Sequence, residues 1–191
     1  MTALPHPLSS ARPHGIRPAA LAAALLLSLA APLPATADEA AQRAALAAFS
    51  QARGGDDSRI DAAATQLAAI SRAEPGHPLW LAYAGAATAL RAGTTWAPWK
   101  KMAHAEDGLA QIDKALALLG TTHETTLHDG VPVALETKLT AASTFLALPS
   151  MFNRGERGRR LLDEVLKHPA YAATPTGFQE AARKLAAKAA S

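Results

Sequence analysis

The chain has no cysteine in 191 residues. That excludes disulfides, thiolate metal sites and a covalently attached haem, and leaves stability to packing. β-branched residues are scarce, and no run alternates strictly between apolar and polar side chains, so strands have little support. Charge of one sign is also missing. With Arg12 and Arg17 set aside, 17 Lys and Arg face 16 Asp and Glu, which gives no electrostatic footprint for nucleic acid. Aromatic residues make up only 5 %, yet all three tryptophans fall within Leu79 to Lys101, LWLAYAGAATALRAGTTWAPWKK.

What is present begins with a leader. Residues 1–37 have the three parts of a secretory signal peptide: Arg12 and Arg17, an uncharged Ala and Leu run from Pro18 to Leu33, and the small residues Ala35-Thr36-Ala37. The run is too short, and too soon broken by Pro32 and Pro34, to span a membrane. No Arg-Arg pair precedes it and no cysteine follows it, which argues against twin-arginine export and a lipoprotein anchor. Cleavage is expected between Ala37 and Asp38, with no stable membrane span afterwards and a periplasmic or secreted destination. Residues 38–191 then form a single helical domain, long enough for one real core.

Pro and Gly punctuate that domain into about seven helical segments. The first runs from about Asp38 to the Gly54-Gly55 pair. The second is capped by Ser58 and closed by Pro75-Gly76, and the third begins near Pro78 and ends at Gly93, a residue suited to the left-handed position after a helix. Pro98 opens a fourth, in which Met102, Ala105, Leu109, Ile112, Leu116 and Leu119 form one apolar stripe opposite a wet face carrying Glu106, Asp107, Asp113 and Lys114. Leu135 to Leu146 mark a fifth. Asn153 with Glu156, and Thr176 with Gln179, have capping-box spacing for the sixth and seventh.

Three helix ends recur at similar intervals: LAAISRAEP at Pro75, IDKALALLG at Gly120 and LLDEVLKHP at Pro169. The segment EDGLAQIDKALALLG resembles the second helix of a tetratricopeptide repeat, with Gly108, Ile112 and Ala115 on its small, large and small positions. Ala63, Leu67, Ile70 and Pro75 fit comparably, while Arg157, Leu161, Glu164 and Pro169 keep only the large residue and the proline. The repeat is longer than the family's, and its first helix lacks the Trp, Leu, Gly, Tyr spacing, since Trp80 and Tyr83 are followed by Gly85. The resemblance to exported bacterial tetratricopeptide-like proteins covers Ser58 to Pro169. It implies an all-α fold of stacked antiparallel hairpins, a short α-solenoid, and a protein or peptide partner in the cell envelope.

Each candidate site has plain packing as its alternative. Trp80 and Tyr83 share a face of the third helix beside the small residues Ala82, Gly85, Ala86 and Ala89, and are read as structural core with Leu109, Ile112 and Leu116. Trp99, in register with Met102, is read as core too. Trp96 lies on the connection, where it and Arg91, Lys100 and Lys101 make an aromatic and cationic lip for an anionic peptide, glycan or lipid head group. In NRGERGRR, Arg157 and Arg160 share a face and offer a second anion patch against the alternative of a solvated charged face. HETTLHD puts His123 and His128 five apart, about 140° round a helix, unlike the i, i+4 pair of zinc proteases. These are read as solvated loop histidines, with no metal and no cofactor. No nucleophile elbow or phosphate loop is present, and no catalytic residue is assigned. A binding or scaffold module is therefore the expected function. The alternatives are a small carboxylate-dependent envelope hydrolase, with Glu136 as nearest candidate, and a helical binder of an anionic lipid or small molecule.

Overall fold

The computed structural model describes residues 37–190; the leader expected over residues 1–37 lies outside them except for Ala37. The fold is all-α. Among the described residues seven helices, α1 (Ala37–Arg53), α2 (Ile60–Ala73), α3 (Pro78–Thr94), α4 (Pro98–Ala117), α5 (Val133–Ala147), α6 (Gly155–Lys167) and α7 (Thr176–Ala190), carry it. Between α4 and α5 sits a two-residue antiparallel hairpin, β1 (Leu127–His128) and β2 (Val131–Pro132). Among the described residues no helix is long and apolar enough to cross a membrane.

Side-chain bonds across successive helices define antiparallel pairs. Gln42 near the start of α1 reaches Glu74 just beyond α2. Arg91 late in α3 reaches Asp61 early in α2 at 2.8 Å, and Lys138 of α5 meets Glu164 of α6 at 3.2 Å. Between α3 and α4 the pairing is closest of all, because Gly85 and Gly108 meet backbone to backbone. A Cβ placed on Gly108 would lie 2.6 Å from the Gly85 carbonyl oxygen and 2.8 Å from the Ala89 nitrogen. Across this contact and the neighbouring layers run Trp80, Ala84, Ala87, Leu109 and Ile112, continuous with Phe49, Leu67, Phe145 and Leu161 from the other helices. Alanine dominates the core, so close helix approach replaces bulk as the source of dispersion contacts.

Several expectations are corrected. Asp56, not Ser58, caps the entry to α2: its carboxylate accepts from the Ser58 backbone N–H and hydroxyl, and a short 3₁₀ turn precedes the helix. Gly93 is not left-handed; α3 continues through it to Thr94, and the positive-φ glycines are Gly55, Gly76 and Gly130. Asn153 does not cap α6. It closes a 3₁₀ turn over Ser150–Phe152 in the left-handed region, and α6 starts two residues later, with Glu156 turned to Arg159. Gln179 does not bond back at Thr176; its amide donates to the carbonyls of Ala172 and Thr174. Asp113 is not on a wet face, since Arg157 of α6 and Arg154, just before that helix, both donate to it.

Trp99 is not core. It is 66 % exposed, because α3 ends at Thr94 and the apolar stripe of α4 runs one turn beyond its packing partner. Met102 in the next turn is part-buried, and full burial begins at Ala105.

Candidate functional site

The hairpin turns on Asp129 and Gly130, both at positive φ (47° and 79°). An Asp-Gly pair suits such a turn, glycine because it has no Cβ and aspartate because its short side chain tolerates the left-handed region. The register Leu127↔Pro132 and His128↔Val131 brings His128 back over the first turn of α5, where Glu136 projects. His128 Nδ1 donates to Glu136 Oε2 at 2.8 Å, and the Tyr83 hydroxyl, from α3, donates to Oε1 at 2.6 Å. Trp80, only 2 % exposed, backs the imidazole edge-to-face at 5.1 Å, and the His77 ring lies tilted against the same indole at 6.0 Å.

Each member of this chain tunes the next. The hydrogen bond to Glu136 raises His128 above the ordinary imidazole pKa despite its partial burial, with the charges of Glu136, Asp129 and Glu74 adding to it. Burial, then the Glu136 carboxylate, pushes Tyr83 well above the usual phenol value, so it stays a donor. His77 goes the other way: burial lowers it, against the pull of Glu74 and Glu136, and its Nδ1 has no hydrogen-bond partner.

The pH consequence has two opposed parts. The raised pKa of His128 means that its stabilisation is complete below the unfolded value of about 6.5 and is lost as pH rises through the folded value. The lowered pKa of His77 means that stability is lost as pH falls from about 6.5 through its folded value. His128→Gln removes the first effect and, because the His128 charge also helps to lower His77, weakens the second. Chemical denaturation should show the variant's deficit largest near about pH 5.5 and smallest above about pH 8. A deficit that grows with pH would contradict the His128–Glu136 pairing.

Tyr83 and Glu136 also form the inner wall of a cleft of about 500 Å³. Leu46 and Phe49 of α1, Leu139 of α5 and Phe178 of α7 give it apolar sides, while Arg53 and Lys184 add two cations. Both cations are exposed whereas Tyr83 and Glu136 are part-buried, which puts the positive charge at the mouth. Phe49 is fixed edge-to-face on Tyr83 at 5.3 Å, and the Arg53 guanidinium lies over the Phe49 ring at 5.7 Å. The volume falls in the range of small-ligand sites, and the lining presents polar and apolar surface in similar measure.

Chemically the arrangement is a satisfied polar chain behind an apolar and cationic opening. The His128–Glu136 pair leaves Nε2 as the basic nitrogen, as in an oriented general base. No nucleophile hydroxyl among the described residues is hydrogen-bonded to His128, and both Glu136 oxygens are already occupied. The two other parts of HETTLHD are used locally. His123 Nδ1 accepts from the Gly120 N–H at 2.9 Å, and Glu124 sits 3.1 Å from His168 Nε2 in an ion contact that lacks hydrogen-bond alignment. Among the described residues no cluster of three or more His, Cys, Asp or Glu side chains is arranged for a metal ion.

The other sequence candidates are scattered. Arg91 is held by Asp61 and Thr65. Arg157 and Arg154 clamp Asp113 and lie over the Phe145 ring, both at 5.4 Å, so Arg157 serves the α4–α6 packing; Arg160 is exposed. Trp96 is 85 % exposed and touches Trp99, with Lys100 and Lys101 exposed beside them. Sequence reasoning missed the cleft cations Arg53 and Lys184 and the joining of Tyr83, His128 and Glu136. Asp129-Gly130 was the available signal for the latter, since a tight turn there puts residue 128 near the start of the following helix.

Comparison with family models, with curated proteins and with solved structures finds no match for the chain.

Proposed function

We propose that the chain is an exported cell-envelope binding module, a tetratricopeptide-like arrangement of helical hairpins that seats a peptide segment of a partner protein in the cleft between α1, α3, α5 and α7. The observation that carries this reading is the composition of the cleft: Phe49, Leu46, Leu139 and Phe178 under the two cations Arg53 and Lys184. Such a site suits one bulky apolar side chain with an acidic neighbour, the apolar contact giving affinity and the cations giving orientation and on-rate. Periplasmic or secreted placement rests on the leader over residues 1–37, whose basic, apolar and small-residue parts lie in the order an export signal requires.

The hydrolase alternative has the His128–Glu136 pair in its favour. Glu136, however, is a shared acceptor of two donors, the Tyr83 hydroxyl and His128, instead of a lone carboxylate in a polar cleft.

Panning a random peptide library on the purified chain tests the proposal. Enriched sequences should share a large apolar residue flanked by Asp or Glu, and the double variant Arg53→Glu/Lys184→Glu should weaken their binding by about tenfold or more. Enrichment without acidic residues, or affinity unchanged in the double variant, would contradict it.

A further inference from the structure

The corner between α3 and α4 has no role in that cleft, and its exposed surface is unusual. Trp96 and Trp99 are the two most exposed tryptophans of the three, at 85 % and 66 %, whereas Trp80 is buried. Their rings stand edge-to-face, with centroids 6.1 Å apart and planes 74° apart, so each presents its body outward. Lys100 and Lys101 follow at once on the first turn of α4, both exposed and, among the described residues, without a carboxylate partner. The acidic residues of the helix begin only at Glu106, about 10 Å further along its axis from Trp99. From Lys101 that separation is about 8 Å of helix axis, and Asp61, beside the end of α3, is tied to Arg91.

The chemistry of the corner selects among partners. A sugar would need hydrogen-bonding side chains beside an open ring face. The nearby hydroxyls of Thr94 and Thr95 both donate to the Arg91 carbonyl instead, and the polar side chains next to the rings in sequence are the cations Lys100 and Lys101, which suit an anion better than a neutral sugar. Protein interfaces deplete lysine at their centres. Indole rings with an apolar body and a single N–H, next to unpaired lysines, match the head-group level of a lipid bilayer, where tryptophan is enriched and anionic lipids attract basic residues.

We infer that the Trp96–Trp99–Lys100–Lys101 corner is a peripheral contact site for an anionic lipid bilayer surface. The tryptophans enter the head-group region and the lysines meet lipid phosphates. The contact is independent of the cleft.

Fluorescence reads this directly, because Trp80 is shielded and emission changes come from the corner. Titrating the full chain with phosphatidylglycerol and phosphatidylcholine vesicles should blue-shift the emission, and brominated acyl chains should quench it. Pure phosphatidylcholine should bind about twenty-five-fold more weakly, as should Lys100→Gln/Lys101→Gln on the anionic vesicles, each lysine contributing about fivefold. In Trp96→Ala/Trp99→Ala the shift and the quenching should vanish. Both rings are exposed, so the fold survives this change, and the circular dichroism of the variant checks it. Lys184→Glu should leave vesicle binding unchanged, separating this site from the cleft. The inference is overturned by an absent shift on anionic vesicles, by equal binding to both vesicle types, or by a shift produced instead by murein glycan fragments or by a purified envelope protein.

Discussion

Trp80→Ala should destabilise the chain by about 3–5 kcal/mol, the largest single truncation effect in the molecule. The indole is buried to 2 % exposure, in contact with Tyr83 at 6.3 Å, His77 and His128. Its removal opens a cavity in a core otherwise made mostly of alanine, whose short side chains cannot move in to fill it. The same change frees the imidazole that holds Glu136, so packing and the polar chain fail together and their effects will not add. Urea denaturation monitored by circular dichroism checks the value. A loss under about 1 kcal/mol would mean that the ring is not the keystone its burial implies.

Gly108→Val should cost about 3 kcal/mol or more, through overpacking instead of a void. The obstructing atoms are the Gly85 carbonyl oxygen and the Ala89 nitrogen, at 2.6 and 2.8 Å from the new Cβ, and backbone cannot rotate aside as a side chain can. Relief requires α3 and α4 to separate, which exposes Ile112 and Ala87 to water. Gly93→Ala is the counter-case. A Cβ there meets nothing within 4 Å and the residue is helical with ordinary φ, so alanine should stabilise by about 0.5–1 kcal/mol. Opposite signs at two helical glycines, measured by thermal melting, would establish that close backbone approach holds this pair.

The particular residues explain how much was legible in the sequence. Pro78 and Pro98 placed the starts of α3 and α4 because a proline at the first helical turn is a local property. The small residues Ala82, Gly85, Ala86 and Ala89 lay beside Trp80 on the packed face of the third helix, again from the side chains alone. Trp99 misled because periodicity describes a face but carries no information on where the partner helix ends. Asp113 misled because long arginines at the start of a helix some forty residues away can reach over a rim that looks solvated. Asn153 had the residue type of a cap, yet the 3₁₀ turn before it consumed the position.

The site was less legible than the fold. Tyr83 and Glu136 are separated by 53 residues, and they meet through the packing of α3 on α5. His128 joins them through a hairpin register that a one-residue slip would reverse. Arg53 and Lys184 belong to opposite ends of the chain, and only the tertiary arrangement sets them on one cleft. Charge, burial and hydrogen bonding at such a place are long-range outcomes, whereas helix starts and stops are local ones.

Photo-crosslinking in living cells tests the central claim most directly. A benzophenone amino acid at Leu139, inside the cleft, is compared with one at Ala110, on the exposed face of α4. The binding-module account requires a discrete protein adduct from position 139 that is absent from position 110 and is lost in Arg53→Glu/Lys184→Glu. The same adducts from both positions, or none from position 139, would contradict it.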